Sequence, residues 1–315
     1  MRPVPADRIR RLVEAPLRTE GRYVLYWMTA HRRPTHNFAL DHAIDVASDC
    51  GKPLLVFEAL RADHPYPTAR VHAFVLDGMR TNAEAFAAAG IRYHPYVETE
   101  RGAGKGLLEA LAAHAVAVVA DDSPAYFYPR MLDAAATQVH APMVAVDACG
   151  MLPLAATDKA WPTAYAFRRF LQRTLPERLG DRPRPRLAKA AVAPASIPRA
   201  ILRRWPAAPR ALLERKPTAL AALPLDHDVP PVELLGGSNA ARRRLATFVA
   251  DVLPRYVDER NQPEAHATSG LSPYLHFGHV STFEVFDAIR AQENWSEDDW
   301  SPRADGRRAG WWGMR

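Results

Sequence analysis

The sequence has 315 residues, 48% of them hydrophobic and 24% charged, which excludes a disordered chain and allows two domains with a sizeable core. Its 41 Lys and Arg against 35 Asp and Glu leave a formal charge of +6, which suits a polyanionic partner and equally an arginine-rich solvated surface. Two cysteines outside any CxxC pattern, 12 scattered histidines and apolar runs no longer than a strand argue against a disulfide scaffold, a metal centre, a signal peptide or a membrane span, and predict a cytoplasmic protein with reduced thiols.

The first half alternates strand-like with helix-like segments. "RYVLYWMT" (22–29) reads as a buried strand, and "NFALDHAIDVASDCG" (37–51) has helical apolar spacing closed by Gly51. Strands follow at 53–60, 91–98, 115–122 and 141–148, with helices at 71–90, 106–115 and 129–139. Continuous apolar strands alternating with helices imply a parallel sheet covered on both faces, a doubly wound α/β domain over 1–175. Ligands in such sheets bind beyond the carboxyl ends of the strands. The glycine-rich "GAGKG" (102–106) in one of those loops lacks the first glycine and the Ser/Thr of a phosphate loop, so it reads as ordinary loop glycines.

From 176 to 235 the texture turns to proline and arginine, which predicts a long connector draped over the surface, with short helices at "RAILRRW" and "RALLERK". The remainder, 236–315, has an all-helical pattern. "SNAARRRLATFVADVLPRYVDER" (238–260) opens at Ser238, a good N-cap, with Leu245, Phe248, Val249 and Val252 on one face. "STFEVFDAIRAQ" (281–292) carries a capping box, Ser281 with Glu284. The Arg242–Arg244 run and the connector arginines offer a basic path for DNA, though such runs are usually solvated helix faces.

Between those helices lies "HATSGLSPYLHFG". Ser272 before Pro273 marks a helix start, with serine as cap and proline at the first helical position. Thr268, Ser269 and Gly270 precede it, so hydroxyls and free N–H groups converge near a helix N-terminus, a generic anion site. Tyr256, one helix earlier, could add a phenol hydrogen bond. A capped loop without a ligand explains the same residues slightly better on local chemistry alone.

The segment "GGSNAARRRLATFV…RYVDERNQPEAHATSGLSPYLHFGHVS" resembles the entry to the flavin domain of the DNA photolyase/cryptochrome family. Arg260, Asn261 and Pro263, followed by "LSPYLHFG", are most similar to the class II cyclobutane pyrimidine dimer photolyases. "MTAHRRPTHNFAL" resembles that class's start through Met28, Arg33, Asn37, Ala39 and Leu40, and "VDACGMLP" (146–153) its strand-end motif, with Cys149 and Gly150 departing from the usual pair. The resemblance implies FAD as cofactor and light-driven electron transfer from reduced FAD to a dimer in UV-damaged DNA. It implies that Tyr256, Thr268, Ser269, Gly270, Leu271 and Ser272 hold the FAD phosphates, and that Arg260 contacts DNA. A buried salt bridge is the bland account of Arg260. The α/β domain is where family members hold an antenna chromophore, and no residue here indicates which one.

Family members continue well past the segment resembling "RRAGWWGMR", into helices that supply most of the flavin pocket and the electron-transfer chain. No catalytic residue is therefore assigned, and Trp295, Trp300, Trp311 and Trp312 are not placed in that chain. The expectation is weak or no FAD binding unless a second polypeptide completes the helical domain. Two alternatives remain: a non-catalytic photolyase-derived fragment, and a cryptochrome-like flavin photoreceptor without repair activity.

Overall fold

The computed structural model describes residues 3–297. Six strands, β1 (Ile9–Val13), β2 (Tyr23–Met28), β3 (Leu54–Leu60), β4 (Arg92–Val97), β5 (Ala115–Asp122) and β6 (Met143–Asp147), form one sheet in the order β1-β6-β5-β2-β3-β4. All neighbours are parallel except β1, which lies antiparallel on the β6 edge. The order reverses between β2 and β5, so the switch point of this doubly wound sheet lies at their carboxyl ends. The sheet buries two cores because side chains alternate along each strand. Tyr23, Leu25 and Trp27 of β2 face one core with α3 (Leu107–Ala112) and α4 (Tyr128–Gln138). Val24, Tyr26 and Met28 face the other with α1 (Phe38–Asp49) and Phe86 of α2 (Ala69–Ala88).

Strand β1 escapes the sequence reading. "IRRLV" is charged at its centre and exposed there, as an edge strand tolerates, so no apolar run announces it. Its neighbour Arg8 is buried and donates to Asp147 Oδ2 at 3.3 Å and to the carbonyls of Gly150 and Met151. A helix at Ala164–Thr174 (α5) also went unread.

The proline- and arginine-rich stretch contributes to the interior. Its helices α6 (Arg199–Arg204), α7 (Arg210–Leu213) and α8 (Pro217–Ala221) bury Ile201, Leu212, Leu213 and Leu220. Trp205 packs into the first sheet core, and its indole N–H donates to Ala103 O at 2.8 Å. The glycine-rich 102–106 loop therefore serves packing: Gly106, at φ +88°, has the Trp205 ring 3.6 Å from where a Cβ would stand.

The helical part opens with one long helix: α9 (Ser238–Thr247) runs through a π-helical turn (Phe248–Val252) into α10 (Leu253–Glu259). Pro254 supplies a reason for the wide turn, since it has no N–H for the carbonyl four residues back. Ser238 is not the cap. Gly237 holds that position at φ +85°, and Ser238 is buried with its hydroxyl unpaired among the described residues. Close approach decides this, because a Cβ on Gly237 would meet Thr81 Oγ1 at 2.7 Å and Asp77 O at 3.0 Å. The Gly237 N–H instead donates to His279 Nδ1 at 2.9 Å, and burial pushes His279 down to about 3, keeping the ring neutral as an acceptor.

The capping box of α12 (Thr282–Gln292) is present as expected. Glu284 also meets Arg242 Nε at 3.0 Å and His36 Nδ1 at 3.5 Å, joining the helical part to the loop before α1. Burial alone would raise the Glu284 carboxyl. The hydrogen bond and charge of His36, the charge of Arg242 and the Ser281 N–H outweigh it and hold the group at about 2. A depressed carboxyl stabilises the fold above its unfolded value, near 4.5, and that contribution is lost as pH falls toward 2. Denaturant titrations from pH 6 to 2 should show a loss on the order of 3 kcal/mol that Glu284→Gln largely abolishes. An unchanged slope in the variant would assign the acid lability elsewhere.

Candidate functional site

Two places on the molecule collect exposed polar or aromatic groups at ends of elements. One is the switch point. There Asp121, almost fully buried, accepts the N–H groups of Thr29, Ala30 and His31 at 2.7–2.8 Å and the Tyr26 hydroxyl at 2.7 Å. The 29–36 loop is thereby folded across the strand ends. Asn37 caps α1 through Oδ1 and donates from Nδ2 to Tyr26 Oη and His31 O. Arg33 donates to Ala148 O at 2.9 Å and Gly278 O at 3.1 Å. Arg33 of the N-terminal motif thus joins the sheet to the helical part, while Asn37 braces the 29–36 loop against β2 and α1. Beside them Tyr126 and Phe127 are exposed, and the Tyr126 ring meets His276 edge-on at 5.5 Å.

The other place is the loop from His266 to Ser272. Buried Ala267 and Leu271 anchor it in the helical core with Leu245, Phe248 and Tyr274. Between these anchors Thr268 is exposed, and Ser269 and Gly270 are half-buried. Gly270 takes φ +63°, the left-handed conformation expected of it. The Leu271 N–H donates to Ser269 Oγ at 3.3 Å. Among the described residues the N–H groups of Thr268, Ser269 and Gly270 have no acceptor, and the Thr268 and Ser272 hydroxyls have no partner. This short arc of donors fits a phosphate or diphosphate.

The cap again differs from expectation. Helix α11 (Ser272–His276) has Leu271 at its N-cap position, and Ser272 makes no capping bond. Leu271 already has helical backbone angles and its carbonyl accepts from Leu275, so the helical turn begins one residue before the Ser-Pro pair. Ser272 is consequently free and solvent-facing. Leu271 points into the core and can offer a ligand only its backbone.

Tyr256 is half-buried, edge-on to Phe248 at 5.5 Å, and its hydroxyl is unpaired among the described residues. It shares the apolar cluster of Leu271, so helix α10 and the loop lie on one body. Arg260 is exposed, with its guanidinium carbon 5.4 Å from the Tyr256 ring centre. That exposed geometry is no buried salt bridge.

Sequence reasoning missed Arg244. Its Nε donates to Ser269 O at 2.7 Å and its Nη2 to Thr268 O at 3.0 Å, so the guanidinium grips the loop from its carbonyl side. The "ARRR" run read as one basic face, yet Arg242 is spent on Glu284 and Thr35 and Arg244 on the loop. No run of arginines reveals which members turn inward. No group of three or more His, Cys, Asp or Glu able to hold a metal occurs among the described residues, and none of their helices is long and apolar enough to cross a membrane.

The architecture and site define a class: a doubly wound α/β unit joined by a packed connector to a helical unit that displays a loop of open N–H groups and hydroxyls. No protein-family model matches the chain. It is 28% identical over 291 residues to a deoxyribodipyrimidine photo-lyase of Methanothermobacter thermautotrophicus, covering 92% of this chain and 60% of that protein. It is 31% identical over 280 residues to the deoxyribodipyrimidine photo-lyase of Oryza sativa subsp. japonica, covering 83% of this chain and 51% of that one. A class III photolyase of Agrobacterium tumefaciens superposes with TM-score 0.60 at 16% identity, covering 91% of this chain and 56% of that one. A Synechocystis cryptochrome gives 0.58 at 16% identity, covering 86% and 56%. In sequence the chain is similar to deoxyribodipyrimidine photolyases, its fold is the one shared by the photolyase and cryptochrome structures, and it spans about half to three-fifths of the length of these proteins.

Proposed function

We propose that the chain is part of a light-dependent lyase that splits cyclobutane pyrimidine dimers in UV-damaged DNA, of the class II type. In this reading residues 1–175 are the antenna-type domain, 176–235 the connector and 236–315 the entry of the FAD-binding domain. The observation that carries it is the 268–272 loop, with its open N–H groups and hydroxyls pinned between two buried anchors. FAD bound there would supply, when reduced and excited by light, the electron that opens the cyclobutane ring. Thr268, Ser269, Gly270 and Ser272 hold its phosphates, Leu271 fixes the loop, and Tyr256 adds its phenol. Arg260, exposed at the end of α10, meets the DNA backbone beside a dimer flipped out of the stack. The aromatic rim of Tyr126, Phe127 and His276 is the place for an antenna chromophore.

The walls around the flavin ring system are assigned to none of the described residues. A cryptochrome-like photoreceptor is the second reading, favoured by the likeness to the Synechocystis protein. Two measurements separate these readings. An absorbance spectrum of the desalted protein shows whether a blue flavin band is retained near one per chain. Illumination with a dimer-bearing oligonucleotide then shows whether the ring is split. Retained flavin without splitting would favour the photoreceptor, and absent flavin would overturn FAD binding by this chain alone. Where flavin binds, Thr268→Val combined with Ser272→Ala should weaken it by about tenfold in equilibrium dialysis, since two phosphate hydrogen bonds are lost.

A further inference from the structure

We propose that Arg244 is the cation of the site: it shapes the 268–270 loop from behind and neutralises the diphosphate that the loop receives. The inference rests on the phosphate-cradle reading of that loop. Three observations meet at this residue. First, the guanidinium donates to two successive carbonyls, Ser269 O at 2.7 Å and Thr268 O at 3.0 Å. Holding both carbonyls on one side leaves the intervening N–H groups free to face a ligand, the arrangement of an anion nest.

Second, both of these acceptors are neutral. Among the described residues no carboxylate pairs with Arg244, whereas Arg242 of the same helix is neutralised by Glu284. Nη1 is also without an acceptor among them. A half-buried charge that is hydrogen-bonded but not neutralised is stabilised by an arriving anion. Third, Gly270 is coupled to this arrangement. A Cβ there would stand 2.5 Å from Arg244 Nε and 2.7 Å from Nη2, so the loop has a glycine where the guanidinium must pass. Backbone angle alone would have tolerated asparagine at φ +63°. The ligand class is a diphosphate ester, and Arg244 is a positioning residue whose charge also reaches the ligand.

The test titrates the whole 315-residue chain with FAD, with ADP and with inorganic pyrophosphate at several salt concentrations. Limited proteolysis of the free protein runs in parallel, with cuts in 266–271 located by mass spectrometry. Arg244→Gln should weaken binding by about tenfold or more and flatten the salt dependence, and cleavage in the loop should rise. Arg244→Lys should keep the salt dependence while recovering only part of the affinity, because it restores the charge without the fork. Gly270→Ala should reproduce the glutamine variant's cleavage pattern by displacing the guanidinium, a flexible group whose shift leaves the core intact. Unchanged affinity and salt slope in Arg244→Gln would overturn the inference while leaving FAD binding in place. Arg244-dependent binding of ADP or pyrophosphate without FAD would sustain it and sink the flavin reading. Failure of all three ligands to bind would overturn both.

Discussion

Glu58→Ala should destabilise the protein by about 3–5 kcal/mol, enough to abolish most of the stability of a typical domain. Glu58 sits in the middle of β3 with no solvent exposure. Its Oε1 accepts from Arg32 Nη1 at 2.8 Å, and its Oε2 accepts from Asn82 Nδ2 at 3.0 Å and Tyr93 Oη at 2.6 Å. Burial pushes the Arg32 guanidinium down, but the charge and hydrogen bond of Glu58, with Tyr128 and Tyr93, together outweigh it and leave its pKa above the ordinary value. Removing the carboxylate strands a buried cation, an amide and a phenol together. Urea unfolding of wild type and variant measures the loss. The double variant Arg32→Met/Glu58→Met should recover much of it, because the penalty comes from the unpaired charge rather than from lost packing. A cost below about 1 kcal/mol for Glu58→Ala would mean that water reaches Arg32 and that the site is less dry than its geometry implies.

Gly278→Ala is the second large effect, on the order of 4 kcal/mol. At φ +69°, its added Cβ would stand 1.9 Å from Ala30 O and 2.8 Å from both Arg32 N and His31 Cα. These are backbone atoms of the loop that Asp121 holds across the strand ends, so nothing nearby can yield by turning a side chain. Gly278 O also accepts from Arg33 Nη1, so the clash falls at the junction between the sheet and the helical part. Gly51→Ala is the control. It has φ +60° but nothing within 4 Å of the new Cβ, and should cost only about 1–2 kcal/mol of left-handed strain. Amide exchange should locate the Gly278→Ala damage in 238–292, with the sheet strands protected longer. Equal costs for the two variants would refute the steric account of Gly278.

Both predictions concern residues whose importance is only partly visible along the chain. Glu58 leaves a trace, a carboxylate inside the apolar run "LLVFEAL" that alternation does not explain. Its partners Arg32, Asn82 and Tyr93 come from three other segments and leave none. Gly278 looks like any helix-ending glycine. What makes it necessary is the carbonyl of Ala30, 248 positions away, and no local pattern encodes such a contact.

The candidate site divides in the same way. Hydroxyls and glycine between two apolar anchors were legible in "ATSGLS", because loop donors and a left-handed position are local properties. Which serine caps was not, since Leu271 enters the helical conformation before Ser272. The cation beneath the loop was hidden inside an ordinary arginine run.

By itself the sequence determined the alternation of strands and helices, the core-facing positions Leu245, Phe248 and Val252, and the capping box at Ser281, because periodicity and short-range hydrogen bonds act within a few residues. It also carried the motifs that mark the chain as a photolyase relative. Only the tertiary structure decided the antiparallel edge strand, the burial of the connector, the glycine cap at Gly237, the grip of Arg244 and the space for Gly278. In each case the deciding group comes from a distant part of the chain, and close packing or a buried charge makes its position matter.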